Sequence, residues 1–124
     1  MQMAGVVREL ACHCGEIRLS CDAPLTSVIE CNCSTCGRTG ILHWKVPAAS
    51  LSLTSQRIGL STYAWRGLHE GQHFCRICGT AMMRTGYPGD RVSLNARCIV
   101  GIDVFDLETI RYDGRNKMPP GPTL

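Results

Sequence analysis

The chain has 124 residues and a formal net charge of +3, from 13 Lys+Arg against 10 Asp+Glu. That length suits one domain, expected to span 1–124 around a modest core at about 5–113. Charges of both signs spread along the chain without a basic stripe, which argues against a nucleic-acid partner.

No uncharged apolar stretch approaches the ~18 residues a bilayer span requires, so no membrane partner is expected. Residues 1–10 include Arg8 and Glu9 and contain no apolar run of signal-peptide length. A cytoplasmic protein with reduced thiols is the resulting expectation. Nine cysteines is then the informative number: it is odd, which a pure disulfide scheme leaves with an unpaired thiol, and it favours metal binding.

Residues 6–11 and 16–21 read as two strands of a hairpin, the second with Ile17, Leu19 and Cys21 on one face. At the tip stands Cys12-His13-Cys14-Gly15. Two thiols at i, i+2 point the same way, His13 turns away from them to solvent, and Gly15 is free to take a positive φ. Pro24 breaks the strand, and an extended run over residues 26–30 leads to Cys31-Asn32-Cys33-Ser34-Thr35-Cys36. Three thiols in six residues exceed what core packing calls for. Ser34 is placed to cap one or two helical turns that Gly37 and Gly40 keep short.

Residues 41–46 alternate as a strand, with Leu42, Trp44 and Val46 against Ile41, His43 and Lys45. A turn at 47–50, a brief strand at 51–54 and a longer one at 59–66, with Tyr63 and Trp65 sharing a face, follow. After a loop at 67–71 comes Phe74-Cys75-Arg76-Ile77-Cys78-Gly79, a knuckle that aims two sulfurs at one metal and uses its glycine to leave the turn. Residues 80–85 and 91–98 form the next hairpin across a type II turn at Tyr87-Pro88-Gly89-Asp90. Small edge strands are expected at 104–106 and 109–112, and a loose polar tail over 114–124. The fold class is therefore mainly β, with many short antiparallel strands and little helix.

Cys21 and Cys98 sit on apolar faces and read as core thiols. Seven cysteines remain. The knuckle could complete a four-sulfur site with Cys12 and Cys14 or with two members of the middle cluster. The second choice strands Cys12 and Cys14, so Cys12, Cys14, Cys75 and Cys78 are assigned to a closed structural zinc. Cys31, Cys33 and Cys36 are left as a second zinc site with an open position, the arrangement of a reactive metal.

Cys12-x-Cys14-Gly15, Cys31-x-Cys33-x-x-Cys36 and Phe74-Cys75-x-x-Cys78-Gly79, in this order and followed by Leu94-Asn95-Ala96-Arg97-Cys98, resemble the glutathione-dependent formaldehyde-activating enzyme family over residues 12–113. Asn32 and Gly37 depart from the His and Arg that members often carry there. The resemblance implies a β-tent of small sheets around the structural zinc and a catalytic zinc on Cys31, Cys33 and Cys36, and because three thiolates already make that site net negative, labile occupancy is expected when a fourth thiolate binds. It also implies a carbon–sulfur lyase-type reaction in which a glutathione-like thiol and an aldehyde such as formaldehyde are joined as an S-hydroxymethyl adduct or released from it. A non-catalytic, zinc-stabilised binding or chaperone-like module is the alternative, and a redox or metal-buffering role a third. His43, His69, His73, Glu70 and Asp90 are candidate general bases. Arg38 and Arg97 are candidates for meeting a glutathione carboxylate.

Overall fold

The computed structural model of the protein describes residues 6–55, 59–64 and 71–118. The expectations for Trp65, the loop at 67–70, His69, Glu70 and the tail at 119–124 fall outside those residues.

The first hairpin forms as the alternation predicts: β1 (Arg8–Ala11) pairs antiparallel with β2 (Arg18–Cys21), and Gly15 takes φ +83° at the tip. β5 (Leu51–Leu53) adds to β2 and completes a three-stranded sheet. The second sheet has seven strands. β3 (Val28–Cys31), β4 (Leu42–Pro47), β6 (Leu60–Tyr63), β7 (Gly71–Cys75), β8 (Ala81–Thr85), β9 (Arg91–Asn95) and β10 (Thr109–Tyr112) lie in the order β10-β3-β4-β9-β8-β7-β6. β10 runs parallel to β3, and the other described pairs are antiparallel.

The main core lies between the sheets. Leu10, Leu19 and Cys21 of the small sheet meet Val28, Leu42, Trp44, Val46, Val92 and Leu94 of the large one, the apolar halves of strands whose side chains alternate. The other face of the large sheet is polar and largely buried. Across it, Tyr63, Gln72, Arg84, Ser93 and Lys45 are successive cross-strand partners, and beside them Ile29, His43 and Asn95 form a second row. Directly opposed residues share a face. Gln72, Arg84, Ser93, His43 and Asn95 are all buried.

Four details differ from the sequence reading. Gly71, expected to close a loop leading to the knuckle, instead opens a strand, β7, that runs to Cys75. The strand expected over 91–98 stops at Asn95, whose side chain accepts from the Arg97 N–H and starts a 3-10 turn at Ala96–Cys98. The edge strand expected at 104–106 is a 3-10 turn, because the Asp103 carboxylate accepts from the Phe105 N–H. Finally, the tail expected to be loose from residue 114 opens with a short helix. In this element, α2 (Gly114–Lys117), Gly114 is buried, and Asn32 ties the element down by donating to Asp113 Oδ1 at 3.0 Å and accepting from the Arg115 N–H at 2.8 Å.

Candidate metal centres

Two groups of cysteines come together among the described residues. Cys12 and Cys14 lie on the β1–β2 turn, Cys75 ends β7, and Cys78 lies on the β7–β8 turn. All four sulfurs lie within 4.8 Å of one another, with Cys12–Cys14 at 3.6 Å and Cys14–Cys75 at 3.7 Å. Four sulfurs at about 2.3 Å from a tetrahedral zinc would stand roughly 3.8 Å apart, so the donor set fits that ion. Backbone N–H groups of Ile17 and Ile77 donate to Cys12 and Cys75, and the Thr80 hydroxyl lies 3.1 Å from Cys78. Such donors orient thiolate ligands. Gly79 takes φ +81° as the chain leaves the knuckle.

The second group is Cys31, Cys33 and Cys36, also within 4.8 Å of one another. Cys31 ends β3, Cys33 lies in the following turn, and Cys36 opens a short helix, α1 (Cys36–Thr39). That helix starts from Thr35 rather than from Ser34, without a side-chain cap, and Gly40 ends it in a left-handed conformation. The N–H of Cys33 donates to Cys31, and the N–H of Cys36 donates to Cys33, each at 3.4 Å. These donors suit thiolates, and three of them leave a tetrahedral ion one further position.

Without metal, the three thiols do not share one ionisation behaviour. A hydrogen bond from the Cys36 thiol, helped by the N–H groups of Cys36 and Thr35 against the effect of burial, brings Cys33 down to about 4. Cys36 is raised because its proton serves that hydrogen bond and because it is buried. Cys31 is raised chiefly by burial.

The polar sheet face supplies compensation that the sequence reading did not foresee. His43 Nε2 lies 3.1 Å from the Cys36 sulfur, and its Nδ1 lies 2.5 Å from the Ser93 hydroxyl. A thiolate at Cys36 only accepts, so His43 then carries its proton on Nε2 while Ser93 donates to Nδ1. Arg84 is 2% exposed and donates to Gln72 Oε1 at 2.7 Å. Burial would depress its guanidinium, but the sulfurs of Cys36 and Cys33, with Tyr87, hold it above its ordinary value. A buried cation therefore stands beside the sulfurs of Cys36 and Cys33.

Of the other expected residues, His73 sits between the hydroxyls of Thr62 and Thr85, and Asp90 lies in the β8–β9 turn at φ +62°. Arg38 donates to the carbonyl of Ser34, whereas Arg97 donates to that of Gly40 at the edge of a cavity reaching Cys31 and Cys36. Cys98 is buried as expected and is pushed up to about 12 by burial, and Cys21 lies in the core.

The profile of the glutathione-dependent formaldehyde-activating enzyme family matches residues 7–113. The chain belongs to this family. A crystal structure of a Rhodobacter sphaeroides protein, a Northeast Structural Genomics target, is similar at TM-score 0.73 and 19% identity, over 82% of this chain and 99% of that one. The second likeness speaks to the fold alone.

Two predictions follow from this geometry. Above about pH 4 Cys33 is already ionised, whereas Cys31 and Cys36 hold protons that a metal must displace. Zinc affinity of the three-cysteine group should therefore rise with pH, approaching two decades per unit below the ordinary thiol range. Chelator competition from pH 6 to 8 on protein already loaded at the four-cysteine group measures this, and a flat profile contradicts it. The second concerns Gly114, where an added Cβ would lie 2.5 Å from the Cys31 sulfur and 3.1 Å from Cys33 Cβ. Gly114→Ala should displace α2 and weaken metal binding at that group by about tenfold, roughly 1.4 kcal/mol. The same chelator assay reads the change, and unchanged affinity counts against the close approach.

Proposed function

We propose that this chain is a zinc-dependent carbon–sulfur bond enzyme, joining a small thiol such as glutathione to an aldehyde as an S-hydroxymethyl-type adduct or releasing the two from it. The observation that carries this reading is the contrast between the two cysteine groups. Cys12, Cys14, Cys75 and Cys78 make a closed set of four, and their role in this reading is structural. Cys31, Cys33 and Cys36 are a set of three onto which a cavity of about 540 Å³ opens, a size that suits a small-molecule ligand.

A zinc ion held by Cys31, Cys33 and Cys36 would supply a Lewis-acidic position at which a substrate thiol is ionised at neutral pH. The chain's own residues make a further anionic sulfur acceptable there. Three thiolates around a divalent ion already carry net negative charge, which opposes a fourth. The guanidinium of Arg84 and the Nε2–H of His43 lie on the Cys36 side and offset that charge. The cavity wall carries both signs, Arg97 and Arg111 together with Glu30 and Asp113. That mixture suits a peptide-like thiol bearing carboxylates and an ammonium. Arg111 also pairs with Glu30 at 3.4 Å, an exposed contact that substrate groups can replace at little cost.

The overall step is balanced without a redox partner. The thiol sulfur forms a bond to the carbonyl carbon, the carbonyl π pair moves to oxygen, and the proton given up by the thiol ends on that oxygen. Of the candidate bases among the described residues, His43 is the one hydrogen-bonded to this group, and there it serves as an Nε2–H donor that steadies a Cys36 thiolate. Free thiols throughout fit a reducing compartment, and the cytoplasm is the proposed location.

Substitution separates the two roles. Cys33→Ser should remove one of two bound zinc ions and lower thiol–aldehyde turnover at least 100-fold, while circular dichroism and melting temperature stay near those of the parent. Cys75→Ser should instead unfold the domain at ordinary temperature, since structural zinc contributes on the order of 10 kcal/mol. A Cys33→Ser protein that unfolds, or that turns over normally, contradicts the assignment.

A further inference from the structure

The three-cysteine group also borders a second cavity of about 260 Å³, whose walls include Cys31, Cys36, His43, Lys45, Arg84 and Tyr87. Cys31 and Cys36 line both cavities, and the two cavities differ in character. The first carries carboxylates as well as guanidinium groups. The second sets Lys45, Arg84 and His43 in a wall otherwise largely apolar and aromatic, with Ile29, Tyr112 and Met118, and has no carboxylate among its described lining residues.

Formaldehyde gives such a chamber little to recognise. It is uncharged and not much larger than water, whose share of liquid volume is about 30 Å³. A guanidinium and an ammonium on an otherwise largely apolar, partly enclosed wall are suited to a small anion with a compact carbon skeleton. Arg84 already offsets the thiolates. Lys45 adds a second positive charge: it is exposed, it stands on β4 opposite Ser93, and its Nζ lies 4.7 Å from the centre of the Tyr87 ring. That contact restricts an otherwise flexible side chain and lowers the entropic cost of holding a ligand.

We propose that this second chamber takes the carbonyl partner of the reaction, and that this partner is a small aldehyde or ketone bearing a carboxylate, which Lys45 binds. The inference rests on the thiol–aldehyde reading above and narrows its substrate class. In the step, the thiol sulfur approaching from the first chamber bonds to the carbonyl carbon. The π pair passes to the carbonyl oxygen, which takes up the proton released by the thiol. The carboxylate is unchanged and serves to orient the carbon toward the sulfur.

The test uses the full chain loaded with zinc, with glutathione as thiol and glyoxylate or formaldehyde as carbonyl, each corrected for the spontaneous reaction. Lys45→Glu should lower the ratio of kcat/KM for glyoxylate to that for formaldehyde about tenfold, and Lys45→Arg should restore at least a third of it. An unchanged ratio in Lys45→Glu overturns the proposal. Should the protein turn over neither aldehyde, the catalytic reading fails on its own, and binding decides the chamber. Titration of the cobalt-loaded protein with oxamate, an unreactive analogue, should give a saturable change in the visible spectrum that Lys45→Glu weakens about tenfold. No saturable change, or equal affinity in the two proteins, overturns the anion site whatever the fate of the reaction.

Discussion

Two tight turns 61 residues apart in the chain bring four sulfurs to one point. One turn belongs to the three-stranded sheet and the other to the seven-stranded sheet, so a metal held there would clamp the two layers whose apolar faces form the main core. A domain of this size buries a modest area, and closing so long a loop costs entropy that a metal cross-link offsets. In the proposed reading such a clamp would leave the second cysteine group free of a stabilising duty. With the sheets held elsewhere, a three-sulfur set with room for another ligand can persist at the far end of β3.

The second consequence is electrostatic. Three thiolates on a bound metal, two of them on buried residues, would be costly unless their charge were met nearby. The large sheet meets it with a row of cross-strand neighbours, of which Arg84 and Ser93 are two, and with His43 in the adjacent row. Ser93 fixes His43, His43 reaches Cys36, and Arg84 lies beside both Cys36 and Tyr87. These groups stand on rigid paired strands, so their charge and donors are oriented before any ligand arrives.

Much of this was legible in residue order. The strict alternation over residues 41–46 separated Leu42, Trp44 and Val46, which enter the core, from Ile41, His43 and Lys45, of which His43 and Lys45 line the second chamber and Ile41 packs on Cys33 and Cys36. The spacing of seven cysteines sorted them into the sets of four and three that the fold brings together. Arg84, Ser93 and Gln72 were not legible as site residues. On an amphipathic strand a polar residue reads as solvent-facing, and only the register of β7, β8, β9 and β4 brings these side chains to the buried end of the sheet. The C-terminal segment escaped for a similar reason. Gly114-Arg115-Asn116-Lys117 resembles a polar tail, and what holds it is non-local: Asn32 bonding to Asp113 and Arg115, and a glycine with no Cβ against Cys31. At Asp103 a local signal was present, since an Asp two residues before its bonded N–H favours a turn over a strand.

The central claim is that the three-cysteine group keeps a coordination position for a substrate sulfur. X-ray absorption at the zinc edge of the fully loaded protein addresses it most directly, because it counts sulfur ligands per metal. With one site of four sulfurs and one of three, the average should be about 3.5 sulfurs per zinc, rising to about 4 when glutathione is added. An average of about 4 before the thiol is added, or about 3.5 in its presence, would contradict the account.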